Sequence, residues 1–591
     1  MRLKRTKNNG ETRLSDKGSE VILSGWVHRR RDHGGVIFVD LRDRWGLTQV
    51  VFNPEENKES HAVAEQLRSE WVISVHGVVR PRMDGMANDR LATGDIEIMC
   101  DDIEILSKSE PIPFPLDEYK DVNEEIRLKY RYLDLRREEI QQNLIFRSKV
   151  SGVVRNYFLE KNFVDVETPF FMKSTPEGAR DFLVPSRKFE GKFYALPQSP
   201  QLYKQLLMLS GFDKYFQITK CFRDEDLRKD RQPEFTQIDF EMSFVDEEDV
   251  YAILEGLVFE VFEKTMNMDL GPKLPRLTFA EAMSRYGVDK PDTRFGLELV
   301  DVGNIFEGCD FKVFNDILAK KGLIKSINVK GGASMSRSQI DALIAYSQEF
   351  GAKGMAWMKM GENGLEANIV KFFNDDIKNA LVEKMEAEPG DLLVFVADRP
   401  HIVNKSLGAV RLKLGADLNL IDESRFDVLL VTEFPLFELD EESGEMVSMH
   451  HPFTSPVEED LKYLDDEPLK VRSRAYDLVI NGTEILSGSI RIHDRDLQMK
   501  MFKYLGFTEE SAQEKFGFLL KAFEFGPPPH GGAAFGFDRF VMLLCGATSI
   551  REVIAFPKTN QAVSLMDETP SEVSNEQLIE LGIKLRKSKT N

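Results

Sequence analysis

The sequence predicts a multidomain chain of β and α+β type headed by a small β-barrel, and three observations carry that expectation. Five strand-like runs with one helical stretch among them fill residues 1–109. Beyond residue 138, helical periods alternate with strands whose apolar residues recur at every second position. A chain of 591 residues also exceeds what one hydrophobic core organises, so roughly three or four domains are expected.

The strand-like runs of the barrel are VILSGWVHR, GVIFVDLRD, LTQVVFN, WVISVHGVVR and DIEIM, with HAVAEQLRSE as the helical stretch between the third and fourth. Five strands with a helix at that place is the order of an OB-fold. The barrel carries His28, Arg29, Arg30 and Arg31 in a run, and Phe38 between apolar neighbours. OB-folds bind single-stranded nucleic acid through a charged groove and stacking rings. A strand also turns rings into its core, so on the residues alone Phe38 fits either role. The net charge of −21 excludes a generally basic surface, so an RNA site must be local, and the arginine run is the best candidate.

Residues 110–138 open with PIPFPLDEY and continue through LKYRYLDLRR, a proline-rich and then charged linker or hinge. From Glu139, the residues Ile140, Leu144, Val150, Val154 and Phe158 recur at helical spacing, and the strand-like VDVETPFF follows. Residues 222–241, FRDEDLRKDRQPEFTQIDFE, read as a charged loop joining two strands. On the outgoing strand Phe235, Gln237, Asp239 and Glu241 share one face, and Ile238, Phe240 and Met242 the other. The polar face therefore bears a ring, and the loop offers Arg223, Glu225, Arg228 and Arg231. Guanidinium groups suit a phosphate and a ring suits a base, although a solvated hairpin with surface ion pairs would read similarly. On this reading 139–293 is the first part of a domain that resumes at 422–560, with an α+β segment inserted at 294–421. Residues 561–591 form a C-terminal extension ending in the basic LRKSKTN.

FRDED followed by RQPEFTQID resembles motif 2 of the class II aminoacyl-tRNA synthetases, in the form found in bacterial-type aspartyl-tRNA synthetases. The helix and strand leading to Pro169 resemble motif 1 of that class, which forms its dimer interface. Gly531 to Arg539, GGAAFGFDR, resembles motif 3. The inserted segment resembles the insertion peculiar to the bacterial aspartyl enzymes, so the likeness covers essentially the whole chain. It implies an antiparallel-sheet catalytic domain, an anticodon-binding barrel, a homodimer, and ATP, Mg2+, L-aspartate and tRNA(Asp) as cofactor and partners.

By that resemblance Arg223 binds the α-phosphate and contacts the aspartate, Phe235 stacks on adenine, and Arg539 meets the γ-phosphate. Asp224, Glu225, Gln232, Gly536, Phe537 and Asp538 also belong to the ATP site. Glu177, in the lid-like TPEGAR, and Asp239 serve the ammonium group of the amino acid. Ser199 and Gln201 hold its backbone, Lys204 and Arg491 its side-chain carboxylate, and His450 of MHHPFTSP lies over it. Arg31, Phe38, Gln49 and Glu97 match the residues that read the anticodon.

The stretch YDLVINGTEILSGSIRIH reads as a hairpin turning at Asn481 and Gly482, which makes Asp477 and Glu484 diagonal neighbours. Two adjacent carboxylates repel unless a cation lies between them, so magnesium is the natural inference. The resemblance gives Glu484, with Arg223 and Arg539, to the chemistry. A bidentate guanidinium such as Arg491 selects a carboxylate over an amide. Leu486 and Ser487 stand where glycines are usual, which leaves the local backbone open. His33 and Gly85 accompany enzymes that also charge tRNA(Asn), whereas stricter ones carry leucine and lysine.

The expected activity is thus formation of aspartyl-adenylate and transfer to tRNA(Asp) and also tRNA(Asn). A strictly tRNA(Asp)-specific enzyme is one alternative. A synthetase-like asparagine synthetase is another, and the barrel counts against it. No apolar run reaches the roughly 20 residues of a membrane helix, and the N-terminus has no signal-peptide pattern. Cys100, Cys221, Cys309 and Cys545 form no CxxC pair, which fits a reducing cytoplasm.

Overall fold

In the computed structural model, which describes residues 1–117, 122–175, 178–440 and 443–586, the strands Glu20–His33, Val36–Asp43, Gly46–Phe52, Val72–Pro81 and Ile96–Ser107 form a closed barrel. Around the barrel their order is first, second, third, fifth, fourth. Strict alternation builds its core: Ile37, Val39 and Leu41 are fully buried while Phe38 and Asp40 between them face outward. The helix between the third and fourth strands runs Lys58–Ala64, ahead of the expected HAVAEQLRSE. It starts early because the Asn57 side chain accepts from the Ser60 N–H and fixes its first turn.

The barrel belongs to one compact unit, residues 1–145 with 555–559 and 564–569, and the remaining residues form a second. The second unit is organised by an eight-stranded sheet. Its order is Arg276–Thr278, Val428–Thr432, Ala475–Ile480, Thr483–Ile490, His530–Gly536, Glu234–Ser243, Lys214–Phe222 and Val164–Asp165. Only the outermost pair at each edge is parallel; every pair between them is antiparallel. The strand expected over VDVETPFF shrinks to Val164–Asp165, since Pro169 has no N–H to continue a ladder.

One face of this sheet is dry. Ile238, Phe240, Leu478, Leu486 and Phe535 pack there against Val154 and Phe158 of the helix Glu138–Glu160, against Leu254 and Val258 of Glu247–Met266, and against Phe540 of Phe537–Leu544. The Glu247–Met266 helix begins at a capping box in which Asp246 and Asp249 exchange side-chain and backbone hydrogen bonds. Burying one face leaves the alternate residues of the same strands for the opposite side.

Within 294–421 a separate antiparallel sheet orders Val300–Asp301, Leu323–Val329, Leu392–Asp398, Ala356–Gly361 and Gly364–Glu366. Its central run LLVFV is apolar without alternation because both faces are covered. Val394 and Val396 pack with Val403 and Leu407 of the helix Pro400–Asp417, and Leu393 and Phe395 with Phe314 and Leu381 on the other side.

Gly532 sits where the main sheet tolerates no side chain. A Cβ there would lie 2.1 Å from the Phe240 carbonyl oxygen and 2.4 Å from Glu241 Oε2. Gly532→Ala should therefore destabilise the protein by about 1–3 kcal/mol, read by urea unfolding; an unchanged midpoint would contradict this packing.

Candidate active site

The polar face of the main sheet carries the candidate residues in register. Asp239 pairs with Ala534, Ala534 with Ser487, and Ser487 with Asp477, one row across four strands. At roughly 4.8 Å per strand, Asp239 and Asp477 stand about 14 Å apart along it. In the next row Glu241 faces Gly532, and Gly532 faces Ser489. A cavity of about 720 Å³ lies over these rows and is bordered by Phe235, Gln237, Asp239, Ser487 and Arg491.

At one end of the row four charges are buried together. Lys204, on the helix Gln201–Leu209, places Nζ 2.7 Å from Asp239 Oδ2 and 3.2 Å from Glu241 Oε2. Arg491 donates from Nε to Glu241 Oε1 at 2.9 Å, from Nη2 to Glu241 Oε2 and the Gly532 carbonyl, and from Nη1 to Ser489 Oγ. All four side chains are at most 5% exposed. Burial pushes the Asp239 carboxyl up to about 6, against the pull of Lys204. Burial acts on Glu241 in the same sense, but Arg491 and Lys204 outweigh it and hold that carboxyl at about 2. Asp239 Oδ1 and Gln201 Nε2 are buried without a hydrogen-bond partner, a costly state that points to a ligand supplying the complement.

Farther along the Asp239 strand, Arg223 lies over the Phe235 ring at 5.1 Å. Among the described residues its guanidinium makes no ion pair. Arg539 donates to the Glu484 carbonyl at 2.8 Å and to Asp230 Oδ2 at 3.1 Å. Gln232 and Gly536 border the cavity, as does Glu225, 3.2 Å from Arg231. Three other residues expected around ATP are engaged with the protein itself. Phe537 turns into the core beneath the sheet, 2% exposed, with the Arg147 guanidinium 4.6 Å above its ring. Asp538 reaches the cavity wall, but its carboxylate accepts from Arg147 Nη1 and from the Thr236 N–H. Asp224 points away, toward Arg180 at 3.5 Å.

The hairpin that carries Asp477 and Glu484 contains a bulge next to Val479, and Glu484 pairs with Val479. Burial and then the Asp477 charge push the Glu484 carboxyl up. His450 Nε2 lies 3.2 Å from Asp477 Oδ1, and the His450 ring packs edge-on to Phe434 at 4.4 Å. Burial alone would lower the pKa of His450, but Asp477, joined by Glu484 and Asp289, outweighs it and the net shift is upward. Leu486 and Ser487 keep regular pairing, with Leu486 in the core and Ser487 at the cavity. Among the described residues no three potential metal-ligating side chains converge. Ser199 and Gln201 line the cavity, while Glu177 lies outside the described residues.

On the barrel, Phe38 is half-exposed and pairs across the strands with Arg31. Arg31 Nη2 donates to Asp40 and Gln49, Gln49 donates to Glu97 at 2.8 Å, and Arg80 donates to Glu97 at 3.0 Å. The four candidates thus lie side by side, Arg31 and Phe38 partly exposed and Gln49 and Glu97 buried beside them. His33 meets Phe38 edge-on at 6.0 Å, and Gly85 is exposed in the loop before the fifth strand.

Glu241 is the member of the site that sequence reasoning did not single out. Its signal was present: it is the fourth residue on the polar face of its strand, opposite a glycine. Gln198 was missed as well; it holds the 178–181 segment through Ala179 and Asp181.

Residues 123–560 match the family described as tRNA synthetases class II (D, K and N), and residues 21–106 match the OB-fold nucleic acid binding domain. The chain is 55% identical to an aspartate–tRNA(Asp/Asn) ligase of Desulfatibacillum aliphaticivorans over 99% of its length and 98% of the relative's. It is also 55% identical to an aspartate–tRNA ligase of Staphylococcus carnosus, over 96% and 97%. In fold it resembles asparaginyl-tRNA synthetase from Pyrococcus horikoshii complexed with asparaginyl-adenylate, with a TM-score of 0.60 at 19% identity, covering 94% of this chain and 98% of that one.

A ligand whose ammonium group pairs with ionised Asp239 should bind more weakly as pH falls through about 6, because the raised carboxyl protonates there. Calorimetric titration of the amino acid ligand between about pH 5 and 8 reads this; affinity independent of pH across that window would contradict it.

Proposed function

This chain belongs to the class II tRNA synthetases (D, K and N), and from that premise we propose how its cavity works as the active site of an aspartate–tRNA ligase. The observation that carries the assignment of the amino acid pocket is the buried quartet with its unsatisfied Asp239 Oδ1. Of the three N–H bonds of Lys204, two point at Asp239 and Glu241; of the five of Arg491, four are engaged. A ligand that brings an ammonium group to Asp239 and a carboxylate to the remaining donors satisfies them all. L-aspartate has that pattern. Asparagine would present an amide N–H₂ to groups that are themselves donors.

ATP would lie beyond the aspartate, its adenine on Phe235 and its α-phosphate at Arg223, with Arg539 at the γ-phosphate. Asp477 and Glu484 fit Mg2+ as a donor set. They are two carboxylates that disfavour each other's charge, and magnesium takes one or two carboxylates and completes its shell with phosphate and water. Bound there, the ion would neutralise charge on the phosphates. The α-carboxylate of aspartate attacks the α-phosphorus in line and expels pyrophosphate. The chain contributes alignment, together with the Arg223 charge where negative charge accumulates. The 3′-hydroxyl of the tRNA's terminal adenosine then attacks the adenylate carbonyl and releases AMP.

The patch of Phe38, Arg31, Gln49 and Glu97 suits anticodon bases, with a half-exposed ring to stack on and a guanidinium beside it that the buried Gln49 and Glu97 hold in place. His33, against Phe38, together with Gly85 favours acceptance of tRNA(Asn) as well as tRNA(Asp). A relative named aspartate–tRNA(Asp/Asn) ligase stands at 55% identity, which supports that reading. A homodimer is supported by apolar surface near motif 1: Phe171 stacks on Tyr194, and Phe170, Leu183 and Phe193 are each at least 45% exposed. Described cysteines are all free and no described helix is long and apolar enough to cross a membrane, consistent with work in the cytoplasm.

Arg223→Ala should reduce aspartate-dependent ATP–pyrophosphate exchange by at least about 10³-fold; near-parental exchange would remove Arg223 from the chemistry. In side-by-side charging assays the chain should aminoacylate tRNA(Asp) and tRNA(Asn) within about tenfold of each other, with His33→Leu lowering the second selectively. Charging of tRNA(Asp) alone would establish the strict alternative.

A further inference from the structure

The cavity has a wall that the site residues named so far leave out. Asp289 and Lys290 border it next to Thr483 and Glu484. They lie on the segment that leads from the helix Phe279–Arg285 of the main domain into the inserted sheet. Among the described residues Lys290 makes no hydrogen bond or ion pair with the protein, and it is exposed. In this it resembles Arg223 and differs from Arg231, paired with Glu225, and Arg539, paired with Asp230.

The backbone beneath Lys290 is fixed. Pro291 follows it and restricts it to extended conformations. Asp292 is buried and accepts from the Arg294 guanidinium at 2.8 Å. Its Cβ comes so near the Asn481–Gly482 turn that a side chain at 482 would lie 3.0 Å from it. From the other side, Arg411 of the inserted segment, 1% exposed, donates to the carbonyls of Asp292, Phe295 and Gly296. Its guanidinium packs on the rings of Phe295 at 4.0 Å and Tyr286 at 4.9 Å. Thr293 adds a hydrogen bond to Asp427, whose N–H donates to Asn481 Oδ1. The segment is therefore clamped between the Glu484 hairpin and the inserted helix.

We propose that Lys290 contacts the polyphosphate end of ATP and the pyrophosphate it becomes, and that the inserted segment, through Arg411, holds it at that place. An anchored backbone with a mobile ammonium tip suits a group that must follow phosphates as they depart. The proposal rests on the adenylate-forming reading above and assigns a mechanical role to the insertion, which otherwise has none in the reaction.

In aspartate-dependent ATP–pyrophosphate exchange with the full chain, Lys290→Ala should raise KM for both ATP and pyrophosphate about tenfold while KM for aspartate stays at its parental value. Lys290→Arg should recover most of that loss, because the charge is kept. Parental KM values for ATP and pyrophosphate in the Ala variant would overturn the proposal. So would a loss shared equally with aspartate. If the unsubstituted chain supported no aspartate-dependent exchange, the ligase reading itself would fail and this inference with it, a result distinct from the other two.

Discussion

The second unit depends on one constraint: four charges, Lys204, Asp239, Glu241 and Arg491, are buried side by side at one end of a sheet face. Removing charges from water is costly, and only close pairing with well-placed hydrogen bonds offsets it. The quartet meets that condition by cancelling two positive charges against two negative ones at 2.7–3.2 Å. Much of the surrounding sequence follows. Gly532 is a glycine because the Glu241 carboxylate lies over it, and Ala534 is small in the row shared by Asp239 and Ser487. Ser489 and the Gly532 carbonyl occupy Arg491 donors that would otherwise be orphaned.

On the proposed reading the same sheet face serves two kinds of recognition. The end proposed for the amino acid is buried and neutral, so a single added carboxylate and ammonium can be read against fixed partners. The end proposed for the nucleotide is more exposed, and two of its cations are already held by carboxylates: Arg231 by Glu225, Arg539 by Asp230. Such pairing moderates the local field in a chain whose net charge is −21. It leaves Arg223, over its ring, as a cation open to a strongly anionic ligand.

Much of this was legible in the residues because it rests on period and pairing. The two-residue alternation of 235–241 separated the cavity face from the core, and the Asn481–Gly482 turn placed Asp477 near Glu484. Phe38 stood open between core and surface, and pairing with Arg31 on the outer side of a barrel decided it. What escaped depends on three-dimensional neighbours. Phe537 sits in a nucleotide-binding motif yet faces inward, because a helix starts there and its first ring completes the core. Glu241 carried no motif of its own; its weight comes from Arg491, which lies 250 residues away in sequence. The Lys58–Ala64 helix was displaced in the reading because the cap at Asn57 outweighs the apolar period that follows.

Selection between two amino acids that differ only in an amide tests the quartet most directly. The quantity to measure is the ratio of kcat/KM for aspartate over asparagine in ATP–pyrophosphate exchange by the unsubstituted chain. A neutral pocket whose remaining contacts to the side chain are all donors predicts a ratio of at least about 10³ in favour of aspartate. A ratio near unity would mean that Lys204 and Arg491 do not read the ligand's carboxylate, and would contradict the assignment of the site.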